Sequence, residues 1–278
     1  MLQVLVPGIP FDRAYWDFQG SGGVYSYVDR ASRVGVATLT LDRLGTGRSS
    51  RPPASAITID AQAFVLEQVV AAVRGRTFAA RGTDSRRFDR VVTTGFSVGS
   101  AVVLVHAARF HSVDGVIVTG FAHSFGPAIS QFGSVVVPAT ADPVTAALNP
   151  PADYLTLSRQ AQTLFGFTDA TSTARVRAEA EAAKSTFVAA EGEGFAAVVA
   201  DLALSSAVEV PVLAVLGRED ALFCTRGCPE AVGESQAYRG SPSFRMVVVP
   251  DTAHNLNLHL TAPYTHAVML RWLTADGT

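Results

Sequence analysis

The sequence contains few cysteines, few charged residues and no long apolar run. Cys224 and Cys228 are the two cysteines among 278 residues, too few for a disulfide-framed fold or a zinc site of four thiolates. Charged residues make up 17% of the chain, and the formal net charge is −2. Nucleic-acid binding needs a basic surface, which this balance does not supply, so we expect no nucleic-acid partner.

A membrane-spanning helix needs about 18 or more consecutive apolar residues, and the sequence has no such run. The first residues also lack the basic start, apolar stretch and small-residue cleavage site of a signal peptide. We expect no membrane span and a cytoplasmic location, or an extracytoplasmic one if the cysteines are oxidised or the true start lies upstream. Lys184 is the sole lysine in a chain rich in Ala, Val and Gly, a bias that indicates a GC-rich, bacterial genome.

Hydrophobic residues form 48% of the chain, enough to bury one large core. Short β-branched runs predict strands at residues 2–6, 34–41, 91–94, 116–120, 211–216 and 244–249. Amphipathic spacing predicts helices at residues 60–74, 100–110 and 263–273. Strands alternating with helices are typical of an α/β fold with a mostly parallel sheet flanked by helices.

Residues 121–208 show no strand pattern. They begin rich in Gly, Ser and Pro and then take helical spacing at 156–165, 172–188 and 194–204. A stretch of about eighty residues is too long for a loop in a compact domain. We interpret it as a helical cap inserted into the core, with the core at residues 1–122 and 206–278 and the cap at residues 123–205.

The strongest chemical signal is Gly-Phe-Ser-Val-Gly at residues 95–99, between a predicted strand and a predicted helix. A GxSxG segment in that setting predicts a sharp turn that presents the serine hydroxyl at the carboxyl edge of the sheet. Glycine suits positions 95 and 99 because larger side chains there would collide with the strand and the helix. Ser97 is therefore the candidate nucleophile. The alternative is a tight turn that serves packing alone.

A serine hydroxyl needs a base, and the base needs an orienting carboxylate. Asp220 and its neighbour Glu219 follow one predicted strand, and His254 follows the next. Since parallel strands end at the same edge of a sheet, these residues are expected to meet Ser97 there. The other histidines are scattered and form no HExxH-like cluster, so we predict no metal site.

Together these segments resemble the α/β-hydrolase family. The resemblance rests on GFSVG at 95–99, DxxGxGxS at 42–49, GxxD at 217–220 and AHNL at 253–256. It spans nearly the whole chain, and the order Ser, Asp, His is the order of the family. It implies that Ser97 is the nucleophile, that His254 is the general base and acid, and that Asp220, rather than Glu219, orients the imidazole. It also implies that no cofactor is needed.

The resemblance further implies an oxyanion hole of two backbone N–H groups beside the nucleophile. The N–H of Val98, directly after the nucleophile, is one expected donor. The second belongs to the turn after the first strand, where family members usually carry His-Gly and this chain has Pro7-Gly8. Proline has no N–H, which leaves Gly8 or Ile9, and we favour Ile9.

From these features we predict a serine hydrolase of an ester, lactone or thioester with an apolar body. Five residues are candidates to line the pocket for this small molecule: Tyr15, Trp16, His123, Phe125 and Phe165. The phenylalanines of the cap have a competing explanation, which is packing against the core. The alternative functions are a non-catalytic or slow binding protein on the same fold, an acyl transferase or cyclase, and a C–C bond hydrolase with the same triad.

Cys224 and Cys228 lie just after Asp220. A disulfide between them would close a short loop and add only about 2 kcal/mol of stability in the chain-entropy description. Its main effect would be to fix the shape of the loop that carries the acid. Disulfide and free thiols are both compatible with the sequence.

Overall fold

The computed structural model describes residues 1–75, 88–225, 228 and 233–275. The strands are β1 (Leu2–Val6), β2 (Asp17–Phe18), β3 (Tyr25–Ser26), β4 (Ala37–Thr40), β5 (Val91–Phe96), β6 (Gly115–Thr119), β7 (Val136–Pro138), β8 (Leu155–Leu157), β9 (Val212–Gly217) and β10 (Phe244–Val249). The α-helices are α1 (Tyr27–Arg33), α2 (Ile59–Arg74), α3 (Val98–Phe110), α4 (Pro143–Ala146), α5 (Ala174–Ala182), α6 (Ala189–Ala200), α7 (Leu202–Ser206) and α8 (Ala262–Ala275). None of the helices in these ranges is long and apolar enough to cross a membrane.

Six strands form one parallel sheet in the order β10-β9-β6-β5-β1-β4. The register pairs Val6 of β1 with Gly95 of β5, and Val249 of β10 with Gly217 of β9. Every residue of β1, β5, β6 and β9 is buried. Strands covered on both faces need apolar residues at nearly every position, which explains their composition. The predicted α/β fold with a mostly parallel sheet is confirmed.

Successive residues of each central strand point to opposite faces of the sheet, and each face has its own core. Val4, Val116 and Val212 pack with residues of α2 and α3 in one cluster. Leu5 and Ile117 pack with residues of α1 and α8 in the other. The three core helices predicted from amphipathic spacing correspond to α2, α3 and α8.

Residues 121–208 contain two short strands, so the prediction that this region has none was wrong. β7 and β8 pair antiparallel, and the helix predicted at 156–165 is replaced by β8 and a π-helix at Gln162–Gly166. Pairing with remote residues decides the outcome: Leu155 N donates to Phe187 O at 2.8 Å, and Phe187 N donates to Leu155 O at 2.9 Å. Backbone pairing of this kind overrides local helix propensity.

The other two helices predicted in this region change in length. The helix predicted at 172–188 is limited to α5, because Lys184 and Phe187 enter β-bridges beyond its end. The helix predicted at 194–204 is divided into α6 and α7 at Asp201, whose side chain accepts from Leu204 N at 3.0 Å and caps α7. The cap boundaries at residues 123 and 205 stay a prediction.

Candidate active site

Ser97 lies at the turn between β5 and α3, in a backbone conformation that few residues other than glycine adopt. Its φ is 52° and its ψ is −120°. The neighbouring backbone is very close: a Cβ at Gly95 would lie 2.3 Å from Gly99 O, and one at Gly99 would lie 2.4 Å from Val6 O. The turn therefore depends on both glycines, and it holds the Ser97 hydroxyl at the carboxyl edge of the sheet.

The Ser97 hydroxyl is hydrogen-bonded to His254, which is hydrogen-bonded to Asp220. Ser97 Oγ lies 3.0 Å from His254 Nε2, and His254 Nδ1 lies 2.8 Å from Asp220 Oδ2. Because a carboxylate accepts hydrogen bonds, Nδ1 carries the ring proton and Nε2 is left to accept from the hydroxyl. All three side chains are buried. The structure thus brings the three predicted residues into one hydrogen-bonded chain.

Of the two acidic candidates, Asp220 is the one that the structure places against the imidazole. Asp220 is fully buried after β9, whereas Glu219 is exposed. Asp220 Oδ1 accepts from Leu222 N at 3.1 Å, while Oδ2 faces His254. Two hydrogen bonds in different directions hold the carboxylate plane in one orientation.

A cavity of about 130 Å³ lies beside Ser97 and His254. Ile9 and Val98 also line it, so both predicted oxyanion donors border the space next to the hydroxyl. The remaining lining residues are Phe125, Ile129, Phe132, Leu157, Phe165, Gly192, Phe195, Ala196, Leu222 and Phe223. Apart from the serine and the histidine, this lining is apolar and carries no charge.

Three phenylalanine rings surround the imidazole. The ring centroids of Phe96, Phe165 and Phe223 lie 5.0, 5.8 and 5.9 Å from that of His254. They shield the imidazole from water, and hydrogen bonds in such low-dielectric surroundings are electrostatically stronger than in solvent.

A family model described as the alpha/beta hydrolase family matches residues 3–265 of this chain. The chain belongs to the alpha/beta hydrolase family. No curated protein sequence gave a match. Membership of this family supports hydrolase activity as the general class of reaction.

Solved structures of other hydrolases share the fold at low sequence identity. The enol-lactonase from Burkholderia xenovorans LB400 is 19% identical with a TM-score of 0.61, over 98% of this chain and 91% of that chain. A hydrolase from Pseudomonas aeruginosa PA01 is 20% identical with a TM-score of 0.63, over 98% and 89%. The methylesterase MES16 from Arabidopsis is 13% identical with a TM-score of 0.64, over 99% of each chain. At such identities the likeness shows the fold alone.

Five residues of this alpha/beta hydrolase were predicted to line the pocket, and four of them are tyrosine, tryptophan or phenylalanine. Two of these four line the cavity, and the other two lie in the core. Phe125 and Phe165 line the cavity. Tyr15 and Trp16 are instead buried in the core cluster of α1 and α8, where Tyr15 stacks on Phe96 with ring centroids 4.1 Å apart. The chain turns back before them, with Phe11 N donating to Gly8 O at 3.0 Å, and this turn directs both rings away from the cavity.

The side chain of His123 is 4% exposed and lies outside the cavity, between two polar side chains. Its Nδ1 lies 2.7 Å from Glu234 Oε1, and its Nε2 lies 2.8 Å from Ser205 Oγ. Since both ring nitrogens are bonded, His123 ties the segment after β6 to α7 of the hydrolase and does not face the cavity. Within the described residues, no group of three or more His, Cys, Asp or Glu side chains is arranged to hold a metal ion.

Cys224 and Cys228 form a disulfide in the structure. Cys224 directly follows the cavity residues Leu222 and Phe223, and its N–H donates to Asp220 O at 2.6 Å. The bridge therefore begins directly after the segment that carries both the acid and part of the cavity wall.

His259, which the sequence analysis did not single out, supports the active-site loop of the hydrolase. Its Nδ1–H donates to Asn255 O at 2.9 Å. Its Nε2 accepts from Ala253 N and Thr168 N, both at 3.3 Å. Because Ala253 and Asn255 flank His254, the neutral His259 ring holds the loop that presents the imidazole to Ser97.

Acid is expected to destabilise this hydrolase because two histidines are buried in the neutral form. Burial lowers the pKa of His259 to about 4 and that of His266 to about 3, against about 6.5 in an unfolded chain. As the pH falls below about 6.5, the unfolded state binds protons that the folded state does not. The free energy of unfolding should then fall by about 1.4 kcal/mol per pH unit for each histidine, until the pH nears its folded pKa. Urea unfolding at a series of pH values measures this slope.

His259→Gln is the matched variant, since a glutamine amide both donates and accepts but does not titrate. Its slope is expected to be shallower than that of the wild type. Parallel slopes for the wild type and His259→Gln would show that His259 does not contribute.

Proposed function

We propose that this chain is a serine hydrolase that cleaves a carboxylic ester, lactone or thioester through an acyl-enzyme on Ser97. The observation that carries the proposal is the buried hydrogen-bonded chain of Ser97, His254 and Asp220, which ends at an apolar cavity. The neighbours described as an enol-lactonase and a methylesterase agree with an ester-type bond.

The proposed mechanism follows from the protonation state of each group. His254 Nε2 takes the hydroxyl proton as Ser97 Oγ attacks the substrate carbonyl. The backbone N–H groups of Val98 and Ile9 stabilise the negative oxygen of the tetrahedral intermediate. The imidazolium, oriented by Asp220, then gives its proton to the leaving group, and a water activated in the same way releases the acid.

The cavity favours a small, neutral, apolar acyl group. An engineered apolar cavity of about 150 Å³ in another protein holds one benzene molecule, and this cavity has about 130 Å³. None of the described residues that line it carries a charged side chain, so a carboxylate or ammonium on the acyl group would be desolvated without a partner. We therefore propose esters of short aliphatic or small aromatic acids as substrates.

Two measurements on the wild-type protein test this function. Intact-protein mass spectrometry after treatment with a fluorophosphonate should show one added phosphonyl group. Hydrolysis of p-nitrophenyl esters should be fastest for short acyl chains and should decline for long ones. A folded protein that neither gains the phosphonyl mass nor releases nitrophenol would contradict the proposal and would favour a binding protein on the same fold.

Gly192 of α6 is expected to set the width of the cavity. It lines the cavity, and a Cβ built there meets no atom within 4 Å. Gly192→Val should therefore fill space that a longer acyl group needs, without a clash in the free protein. We expect the ratio of kcat/KM for the hexanoyl ester to kcat/KM for the acetyl ester to fall by about tenfold or more. One methylene group that a pocket accepts or excludes changes kcat/KM by about that factor.

Gly133→Val is the matched control for this substitution. A Cβ at Gly133 also meets no atom within 4 Å, and Gly133 does not line the cavity. Its acyl-length profile should equal that of the wild type. An unchanged profile in Gly192→Val would mean that the acyl group lies elsewhere.

A further inference from the structure

Arg43 and Glu191 form an ion pair that is almost completely buried. The side chain of Arg43 is 2% exposed and that of Glu191 is 0% exposed, and Arg43 Nη1 donates to Glu191 Oε1. Arg43 follows β4 in the core, and Glu191 lies in the first turn of α6, in the predicted cap. A single interaction therefore joins two segments that are remote in sequence.

Arg43 also holds the turn that follows β1. Its Nε donates to Pro7 O at 2.9 Å. That carbonyl lies against the start of α3, since a Cβ at Gly99 would be 2.6 Å from Pro7 O. Because the peptide unit is planar, fixing the direction of the Pro7 carbonyl also fixes the direction of the Gly8 N–H. Gly8 in turn packs tightly on the nucleophile turn, since a Cβ there would lie 2.7 Å from both Phe96 O and Ser97 Cβ, and this contact constrains the chain that leads into Ile9.

Glu191 anchors the beginning of α6. Its Oε2 accepts from Val188 N at 3.1 Å, and its Oε1 also accepts from Gln62 Nε2 at 3.0 Å. Gly192, one residue further, lines the cavity, as do two residues of the next turn of α6. The position of this carboxylate is therefore linked to one wall of the cavity.

Separating two buried opposite charges is strongly unfavourable, because each charge would remain buried and unpaired. We propose that Arg43 and Glu191 are positioning residues whose ion pair holds the turn after β1 and helix α6 in one fixed relation, and so keeps the Ile9 N–H aimed at the oxyanion. The inference rests on the proposed function. It assigns a role in the reaction to two residues that touch neither the substrate nor the reacting atoms.

The expected kinetic signature is a fall in kcat with little change in KM. The oxyanion exists in the tetrahedral intermediate and not in the bound ester, so a misplaced N–H weakens the transition state more than the ground state. A purely structural ion pair would instead change the melting temperature and leave the kcat of the folded protein unchanged.

The variant for the test is Arg43→Met/Glu191→Leu, which removes both charges together. Replacing a whole buried ion pair by apolar residues of similar size is often tolerated, whereas removing one partner is not. Arg109→Met/Asp60→Leu is the matched control, since it removes an exposed ion pair between α2 and α3, with side chains 53% and 59% exposed. Arg43→Lys is a second variant, which keeps the charge opposite Glu191 and removes the separate Nε donor to Pro7.

Steady-state kinetics with p-nitrophenyl butyrate and the rate of fluorophosphonate labelling are measured on each folded variant. For Arg43→Met/Glu191→Leu we expect kcat and the labelling rate to fall by about 100-fold, the scale of a small misplacement, with KM within about threefold of the wild type. If Arg43→Met/Glu191→Leu does not fold, the same measurements of kcat, KM and labelling rate on Arg43→Lys test the positioning role. A wild-type protein that neither labels nor hydrolyses would remove the proposed function itself. An active wild type together with wild-type kcat in a folded Arg43→Met/Glu191→Leu or Arg43→Lys protein would overturn the positioning role alone.

Discussion

Ser97→Ala is expected to lower kcat for ester hydrolysis by about 10⁶-fold, the scale seen when a triad serine is removed. The variant loses the hydroxyl oxygen that we propose as the nucleophile, while His254, the proposed N–H donors and the cavity remain. Binding of substrate should change little, so the loss should fall on kcat and not on KM. The measurement is p-nitrophenyl butyrate hydrolysis, with fluorophosphonate labelling followed by intact mass.

Ser134→Ala is the control, because Ser134 is an exposed serine whose hydroxyl donates only to Gln131 O in the same 3₁₀ helix. Its activity should stay within about twofold of the wild type, as surface substitutions usually do. Phosphonyl mass that persists in Ser97→Ala would show that a different serine reacts, and it would remove Ser97 from the mechanism.

Asp220→Asn is expected to lower kcat by about 10⁴-fold near neutral pH, the loss known for the same change in a serine-protease triad. The fold should survive, since asparagine has the same shape and can still accept from Leu222 N. However, the side-chain N–H of asparagine would face His254 Nδ1. Nδ1 would then have to accept a hydrogen bond and could not carry the ring proton. The ring proton would then lie on Nε2 and point at Ser97. Nε2 could no longer accept the proton of the Ser97 hydroxyl.

Glu219→Gln makes the same change of charge one residue earlier, at an exposed side chain. It should keep activity within about twofold of the wild type. The two variants together identify the acid, because both remove one negative charge next to the same loop. A large loss in Glu219→Gln with little loss in Asp220→Asn would reverse the assignment of the carboxylate.

Much of the site could be predicted because its signals are local. The GFSVG segment indicates a sharp turn between a strand and a helix, and Gly95 is required there by contacts with Gly99 and Ser100, a few positions away. Gly99 is required by the close approach of Val6 and Pro7 from the neighbouring strand, but the GxSxG pattern marks its position all the same. Asp220 follows β9 and His254 follows β10, and both strands belong to the parallel sheet, whose strands end at one edge. Their convergence therefore follows from strand order, without knowledge of any side-chain position.

Other features depend on which remote segments meet, and these were not predicted. β8 is a strand because it pairs with β7, and Leu155 also forms a β-bridge with Phe187, although the residues of β8 also fit a helix. Tyr15 and Trp16 follow the turn after β1, yet they are buried in the opposite core. The position of a residue close to the site in the sequence does not show where its side chain points, because packing decides that direction.

The sequence by itself determined the class of fold, the positions of the six sheet strands and the three residues that meet at the sheet edge. These follow from hydrophobic periodicity and from short motifs such as GFSVG, and both can be recognised within short segments. Only the tertiary structure decided the size and neutrality of the cavity, the support of the His254 loop by His259, and the Arg43–Glu191 ion pair. Each of these depends on the free energy of burying groups from distant segments together, and no short segment of the sequence carries that information.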